Sequence, residues 1–168
     1  KNYYYAESIV SAAKRAIDLL SSRLNENCLC AILRNGSRIT LIKTPSDQAL
    51  QANTASEKHA YDSASGRLLV AMLPDEELNN FIQLHGASGK KYWKSSENKN
   101  LFMKEINQIR KDKYAIQITE RQIAGIAIPI YSSNRVIASL SVYLPAVRFS
   151  KERKTELLKL MRLTAKKI

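Results

Sequence analysis

The chain has 168 residues, 45% of them apolar, with 5 Gly, 4 Pro and a formal charge of +12 from 27 Lys and Arg against 15 Asp and Glu. That length carries one domain with a substantial core, and the composition excludes collagen-like, low-complexity and disulfide-scaffold classes. Apolar runs stop short of the ~18 residues of a membrane span and no tripartite leader opens the chain, so a cytoplasmic domain with no membrane partner is expected. The chain opens on Lys1 rather than Met, which reads as a piece of something longer. A balance of +12 favours contact with polyanions in general, and two readings stay open: a solvated basic surface, or direct binding of nucleic acid.

Lys1–Tyr5 is a polar and aromatic lead-in, after which Ala6–Asn25 carries Ile9, Val10, Ala13, Ala16, Ile17, Leu20 and Leu24 at helical spacing. Asn27–Leu33 and Ser37–Lys43 flank Asn35-Gly36, a strong hairpin signal. Cys28 and Cys30 are expected on the first of these strands, facing opposite sides of it, where a mutual disulfide is strained; with two distant histidines they make a poor metal site. Thr44–Ala60 is polar and aperiodic and is expected to be a loop with at most a short strand.

Ser63–Leu73 reads as a helix stopped by Pro74, and Asp75-Glu76-Glu77 opens another that runs to about His85. His85–Asn100 reads as a basic surface loop containing Trp93, Glu97–Lys113 as a helix, and Tyr114–Thr119 as a strand. Gln122–Pro145 is two apolar strands around a Ser132-Ser133-Asn134 turn, placed in the middle of a sheet. Ser150 caps a last helix with Leu157, Leu158, Met161 and Ile168 inward and Lys151, Arg153, Lys154, Lys159, Arg162, Lys166 and Lys167 outward. This order gives a single α/β (α+β) domain, a GAF- or PAS-like mixed, mostly antiparallel sheet flanked by helices.

The hairpin is unusual in its small residues, Ala124, Gly125, Ala127, Ser139 and Ser141. They leave room either for a closely packed helix or for a ligand cavity. Elsewhere the chemistry is thin. Gly86-Ala-Ser-Gly89-Lys90 lacks Walker spacing, Ser63-Ala64-Ser65-Gly66 lacks the first glycine of a nucleophile elbow, and no carboxylate pair stands out. His59 and His85 read as loop or helix-end residues. No enzyme and no cofactor is expected. Lys90, Lys91, Tyr92, Trp93 and Lys94 could pair phosphates with a stacked base, or form a basic loop that Trp93 anchors to the core.

Three stretches, SASGRLLVAMLPDEEL from Ser63 to Leu78, RKDKYAI from Arg110 to Ile116 and GIAIPIYSSNRVIASLSVYLPAVRFSKER from Gly125 to Arg153, together resemble the C-terminal effector-binding domain of IclR-family transcriptional regulators. That family shows T-A-x-G-[KR]-x-L-L-A before L-P, then I-R-x-x-G-Y-A, then C-I-A-A-P-V leading to A-x-L-S-V-S-G-P-x-x-R. The resemblance implies a sensor of small organic effectors, sugar-derived, organic-acid or aromatic, that forms a homodimer or tetramer. It implies contact with DNA through a winged helix-turn-helix domain missing here, with residues 1–25 continuing from the linker helix.

The family's pocket lies between the sheet and the Thr-Ala-Gly helix. Carried over, it comprises Ser63, Ala64, Ser65, Gln117, Gly125, Ser141 and Tyr143, with the helix-start amides suited to an anionic group. Gln117 stands where an acidic residue is common, Gly125 where Cys is frequent, and Tyr143 where a second serine is usual. Tyr143 adds volume, Gly125 returns some across the strands, and neutral Gln117 removes a charge that would repel an anion. The expected pocket is reshaped away from the simplest carboxylic acids, toward a carbohydrate-derived or aromatic ligand. The alternatives are a basic domain that binds nucleic acid directly and a degenerate sensor that serves only dimerisation.

Overall fold

The computed structural model describes the backbone of residues 2–168 and the side chains of residue 7 and of residues 10–168. Lys1 and the side chains of Tyr3, Tyr4, Tyr5 and Ile9 lie outside the described part. The lead-in is helical rather than separate: α1 spans Asn2–Leu24. It is followed by β1 (Asn27–Arg34), β2 (Ser37–Thr44), the short β3 (Glu57–His59), α2 (Ala64–Ala71) and α3 (Asp75–Gly89). The second half runs α4 (Lys99–Asp112), β4 (Ala115–Ile118), β5 (Ile123–Ser132), β6 (Arg135–Pro145) and α5 (Lys151–Ala165).

The strands form one six-stranded sheet in the order β3-β2-β1-β6-β5-β4, with every pairing antiparallel. Two tight turns set the register. Asn35 and Gly36 have φ of 48° and 81°, and Ser133 and Asn134 have φ of 49° and 63°. Two left-handed residues in a two-residue loop match the right-handed twist of the strands they join. The β5–β6 hairpin puts β6 beside β1 at the sheet's centre, where the small-residue stretch was expected.

One face of the sheet is a dry apolar core. Cys28, Cys30, Ile126, Ile128, Leu140, Val142 and Leu144 pack against Ala13, Ile17, Leu20 and Leu24 of α1 and Leu157, Leu158 and Met161 of α5. Cys28 and Cys30 share this face, because residues two apart on a strand point the same way. They are free and buried, and burial pushes both thiols up to about 12. Thiols so shifted are unreactive structural residues.

The segment His85–Asn100 is more ordered than a surface loop. Helix α3 continues to Gly89, and a 3-10 turn spans Lys94–Glu97. Tertiary packing overrides the weak local propensity here, since a Cβ at Gly89 would run into the rings of His59 and Tyr61. Trp93 is buried, edge-on to Tyr61 at 5.3 Å and to Phe102 at 4.9 Å, and its Nε1–H donates to Glu105 Oε2 at 2.5 Å. It anchors the basic segment and offers no face to a nucleic-acid base.

Along α5 and the turn after it, Lys151, Lys159, Arg162, Lys166 and Lys167 are exposed as expected, Lys154 is half-buried with its Nζ 4.8 Å from the Tyr114 ring centre, and Ser150 Oγ accepts from the Arg153 N–H at 3.0 Å. Arg153 is not outward. Its guanidinium donates to the Leu24 carbonyl at 2.7 Å and lies 3.8 Å from the buried Glu26, which Arg148 pairs at 2.8 Å. This network ties the end of α1 to the start of α5.

A buried polar cluster beneath helix α2

Register assigns the other face of the sheet row by row. Asn27, Tyr143, Gly125 and Gln117 are successive partners across β1, β6, β5 and β4. The next row is Leu29, Ser141, Ala127 and Ala115, and the one beyond it Ala31, Ser139 and Pro129. Helix α2 lies over these small side chains, with Ala64 and Leu68 packed on Ala115 and Ala127. Of the two sequence-level readings of the small residues, the closely packed helix is what lies here, and polar side chains are buried beneath it.

At the start of α2, Ser63 is the N-cap, its Oγ accepting from the Gly66 N–H at 3.0 Å. Ser65 Oγ is 3.1 Å from the Tyr143 hydroxyl, which also lies 3.5 Å from the Ser65 N–H. A Cβ on Gly125 would come within 2.6 Å of the Tyr143 ring and 3.2 Å of the Ala64 methyl. The ring therefore fills the space that glycine leaves, as the exchange of volume between the two positions implied. Of the helix-start amides expected to meet a ligand's anionic group, the Gly66 N–H is taken by Ser63 Oγ and the Ser65 N–H faces the phenol at 3.5 Å.

Ser63, Ser65, Ser139, Ser141 and Tyr143 are all buried. Six of the seven expected positions converge under the first turn of α2 or on the strand face below it. Gln117 is on the same face but half-buried, on the edge strand β4. The Ser141 Oγ has no hydrogen-bond partner, whereas Ser139 Oγ donates weakly to the Ala31 carbonyl at 3.5 Å.

Sequence reasoning missed Arg38. It is fully buried on β2, opposite Leu33, and donates to Thr40 Oγ1 and, at 3.0 Å, to Thr54 Oγ1, while its Nε has no partner. Burial pulls its pKa down, and Tyr143 and Asp62 act in the opposite direction. An arginine straight after a turn reads as solvated. The available signal was the Asn35-Gly36 hairpin, whose register puts Arg38 across from Leu33 and therefore inside. Asn27 was also passed over. Its Nδ2 donates to the Ala52 carbonyl at 2.5 Å and its Oδ1 accepts from the Ser46 N–H at 2.7 Å, pinning residues 45–56 over this end of the face.

The histidines stand apart from the cluster. His59 Nδ1 accepts from the Tyr61 N–H at 3.1 Å, and its Nε2 lies 3.3 Å from the His85 carbonyl and 3.1 Å from Ser88 Oγ. Desolvation lowers the His59 pKa. Among the described residues no group of three or more His, Cys, Asp or Glu could hold a metal ion. No described helix is long and apolar enough to cross a membrane. An open groove of about 450 Å³ lies elsewhere, lined by Lys113, Ile128, Pro129, Tyr131, Arg162 and Ile168 among others, and includes none of the seven expected site residues.

Comparison with known proteins agrees with this architecture. The chain is 28% identical over 115 residues to the HTH-type transcriptional regulator KdgR of Escherichia coli (strain K12), a match that covers 64% of this chain and 42% of that protein. The chain thus spans less than half the length of that curated relative. The crystal structure of Thermotoga maritima IclR superposes with a TM-score of 0.80 at 18% identity, covering 99% of this chain and 70% of that one. An IclR homolog from Microbacterium hydrocarbonoxydans, solved in complex with 4-hydroxybenzoate, gives a TM-score of 0.79 at 21% identity, covering 96% and 67%. At such identities the two structures speak for the fold. Residues 2–168 match the family described as bacterial transcriptional regulator IclR C-terminal, and the chain belongs to that family.

Proposed function

We propose that this domain is the effector-binding and assembly module of a cytoplasmic transcriptional regulator, not an enzyme, and that a small organic molecule bound beneath α2 changes DNA binding by a winged helix-turn-helix domain joined through α1. The observation that carries this reading is the buried polar face. A face built only for packing would bury apolar side chains, yet this one buries five hydroxyls and a guanidinium and leaves Arg38 Nε and Ser141 Oγ unpartnered. Buried polar atoms without partners are costly, and a ligand is a reason to retain them. The proposed site residues are Ser63, Ala64, Ser65, Gln117, Gly125, Ser141 and Tyr143. A signal would leave through α1, which packs on the opposite face of the same strands and is tied to α5 through Arg153 and Glu26.

The Microbacterium relative's 4-hydroxybenzoate makes aromatic acids the first compounds to try, followed by sugar acids and keto acids. A ligand of the native state raises the melting temperature in a saturable way, and one bound at this site loses that effect when Ser65 is replaced by Val. No response across the panel, with DNA fragments stabilising the domain at low salt instead, overturns the reading.

A second reading is a sensor that has lost its ligand and serves only dimerisation. The observation in its favour is Tyr143, whose ring covers Gly125 and whose hydroxyl meets Ser65 in the first turn of α2. If Tyr143→Ala gains binding of compounds that the parent ignores, the phenol acts as a built-in ligand and this reading stands.

A further inference from the structure

We propose that Arg38 is the anion receptor of this pocket: the ligand carries one carboxylate, held by the guanidinium on the β2 side of the cluster, rather than at the start of α2. The proposal rests on the ligand-sensing reading and assigns that ligand's charge and orientation.

Two arginines flank the cluster, Arg38 buried and Arg67 half-buried, and only Arg67 is satisfied. Arg67 donates from Nε to the Tyr61 carbonyl at 2.8 Å and from an Nη to the Tyr92 carbonyl at 2.7 Å, and its guanidinium lies 5.0 Å from the Trp93 ring centre. Carbonyl dipoles and an aromatic face balance its charge. Arg38 is more deeply buried, with no exposed surface, and meets only the neutral hydroxyls of Thr40 and Thr54. Among the described residues no carboxylate lies within ion-pair distance of it. Asp62, whose field reaches it, is paired to Lys58 at 3.2 Å.

A buried cation in low dielectric is retained where something of opposite sign completes it. The vacant donor identifies the missing group. Both Nη groups of Arg38 already donate, to Thr40 and to Thr54, so a carboxylate oxygen takes the free Nε–H in a single charge-assisted bond. The start of α2 is already engaged, since the Tyr143 hydroxyl lies 3.1 Å from Ser65 Oγ and 3.5 Å from the Ser65 amide nitrogen. Ser141, on the same face and with an unpartnered Oγ, is left to meet a neutral polar group on the rest of the molecule. A second anionic group would have no equivalent partner, so the occupant is a monoanion.

The test separates this assignment from the sensing reading by using the smallest carboxylate and its neutral counterpart. The 168-residue chain is titrated with formate or formamide in chloride-free buffer at constant ionic strength, following the Arg38 Nε–H resonance, assigned by its loss in Arg38→Met. Formate is expected to move the resonance along a saturable curve that formamide does not produce. For any aromatic or sugar acid found in the ligand screen, Arg38→Met should weaken affinity roughly tenfold to a hundredfold, the range of a charge-assisted hydrogen bond. Replacement by the neutral amide of that compound should cost the same. Without ligand, Arg38→Met should melt at least as high as the parent, by up to roughly 2–4 °C more, because it removes an unpaired buried charge, while Arg67→Met melts lower.

An unmoved resonance under excess formate, or equal binding of acid and amide, overturns the proposal even where the domain proves to be a sensor. Arg38→Met melting as low as Arg67→Met makes the guanidinium structural and does the same. A failed ligand screen counts against the sensing reading alone, because the formate titration and the ligand-free melts still decide the role of Arg38.

Discussion

Beneath α1 and α5 the central strands present Cys28, Cys30, Ile126, Ile128, Leu140, Val142 and Leu144, all buried and all apolar. Beneath α2 the same strands present Asn27, Ser139, Ser141 and Tyr143, equally buried and polar. The two sets alternate along the chain, so neighbouring residues of β6 belong to opposite regimes. Leu140 and Val142 hold the sheet to its helices, and Ser139, Ser141 and Tyr143 face the enclosed cluster. The difference teaches that burial alone does not say what a face is for. A packing face is satisfied by shape, whereas a polar face must be satisfied partner by partner, and this one is not.

The largest effect should come from breaking the packed face. Leu140→Ala removes a side chain with no exposed surface from the centre of the sheet and should lower unfolding free energy by about 2–5 kcal/mol in chemical denaturation, without altering which ligands bind. On the opposite face, Gly125→Ala should destabilise by about 1–3 kcal/mol, because the new methyl meets the Tyr143 ring at 2.6 Å and Ala64 at 3.2 Å. That cost should largely vanish in a Tyr143→Ala background. A double-mutant cycle checks it, and additive effects would mean that the ring and the glycine are not matched in volume.

How far each face could be read from sequence follows from the same contrast. Helix α1, the Asn35-Gly36 hairpin, the Pro74 corner and the last helix were legible because periodicity and turn chemistry are local. The helix from Ser63 and the small Gly125 were also legible locally, but their place in one site with Tyr143 came from resemblance to family motifs, and their convergence depends on register across the strands. Asn27 and Thr54 escaped because nothing local distinguishes an ordered polar loop from an exposed one, and Arg38 because its only signal was its hairpin register opposite Leu33. Trp93 as the anchor of its basic stretch was one of two sequence readings and is the one found, although its partners Tyr61, Phe102 and Glu105 are distant in sequence.

A smaller effect should appear with pH at the rim of the α2 side. The neutral His59 ring accepts the Tyr61 N–H on Nδ1, which leaves its proton on Nε2, facing the His85 carbonyl. Protonation would set a second N–H against that of Tyr61. Desolvation accordingly depresses the pKa below 6.5 in the folded state. The unfolded chain then binds the proton more readily, so stability is full above about pH 6.5 and falls as pH drops toward the folded-state value. Melting curves from pH 7.5 to 5 should show this slope, and His59→Gln should flatten it. An unchanged slope would assign the acid sensitivity in this range to groups other than His59.

The smallest effect on stability is also the sharpest test of the contrast. Ser141 is Leu140's neighbour in the chain and equally inaccessible, yet its Oγ has no partner. Removing that oxygen relieves the cost of a desolvated, unpaired hydroxyl, roughly 1–3 kcal/mol, and loses only the small dispersion contacts of one atom. Ser141→Ala should therefore leave the domain as stable as the parent or slightly more so, by denaturant midpoint at unchanged slope. It should nevertheless weaken any ligand that stabilises the parent, because the hydroxyl is free to serve that molecule alone. Were Ser141→Ala to cost as much stability as Leu140→Ala, the polar face would be packing by other means, and the case for a binding site beneath α2 would fall with it.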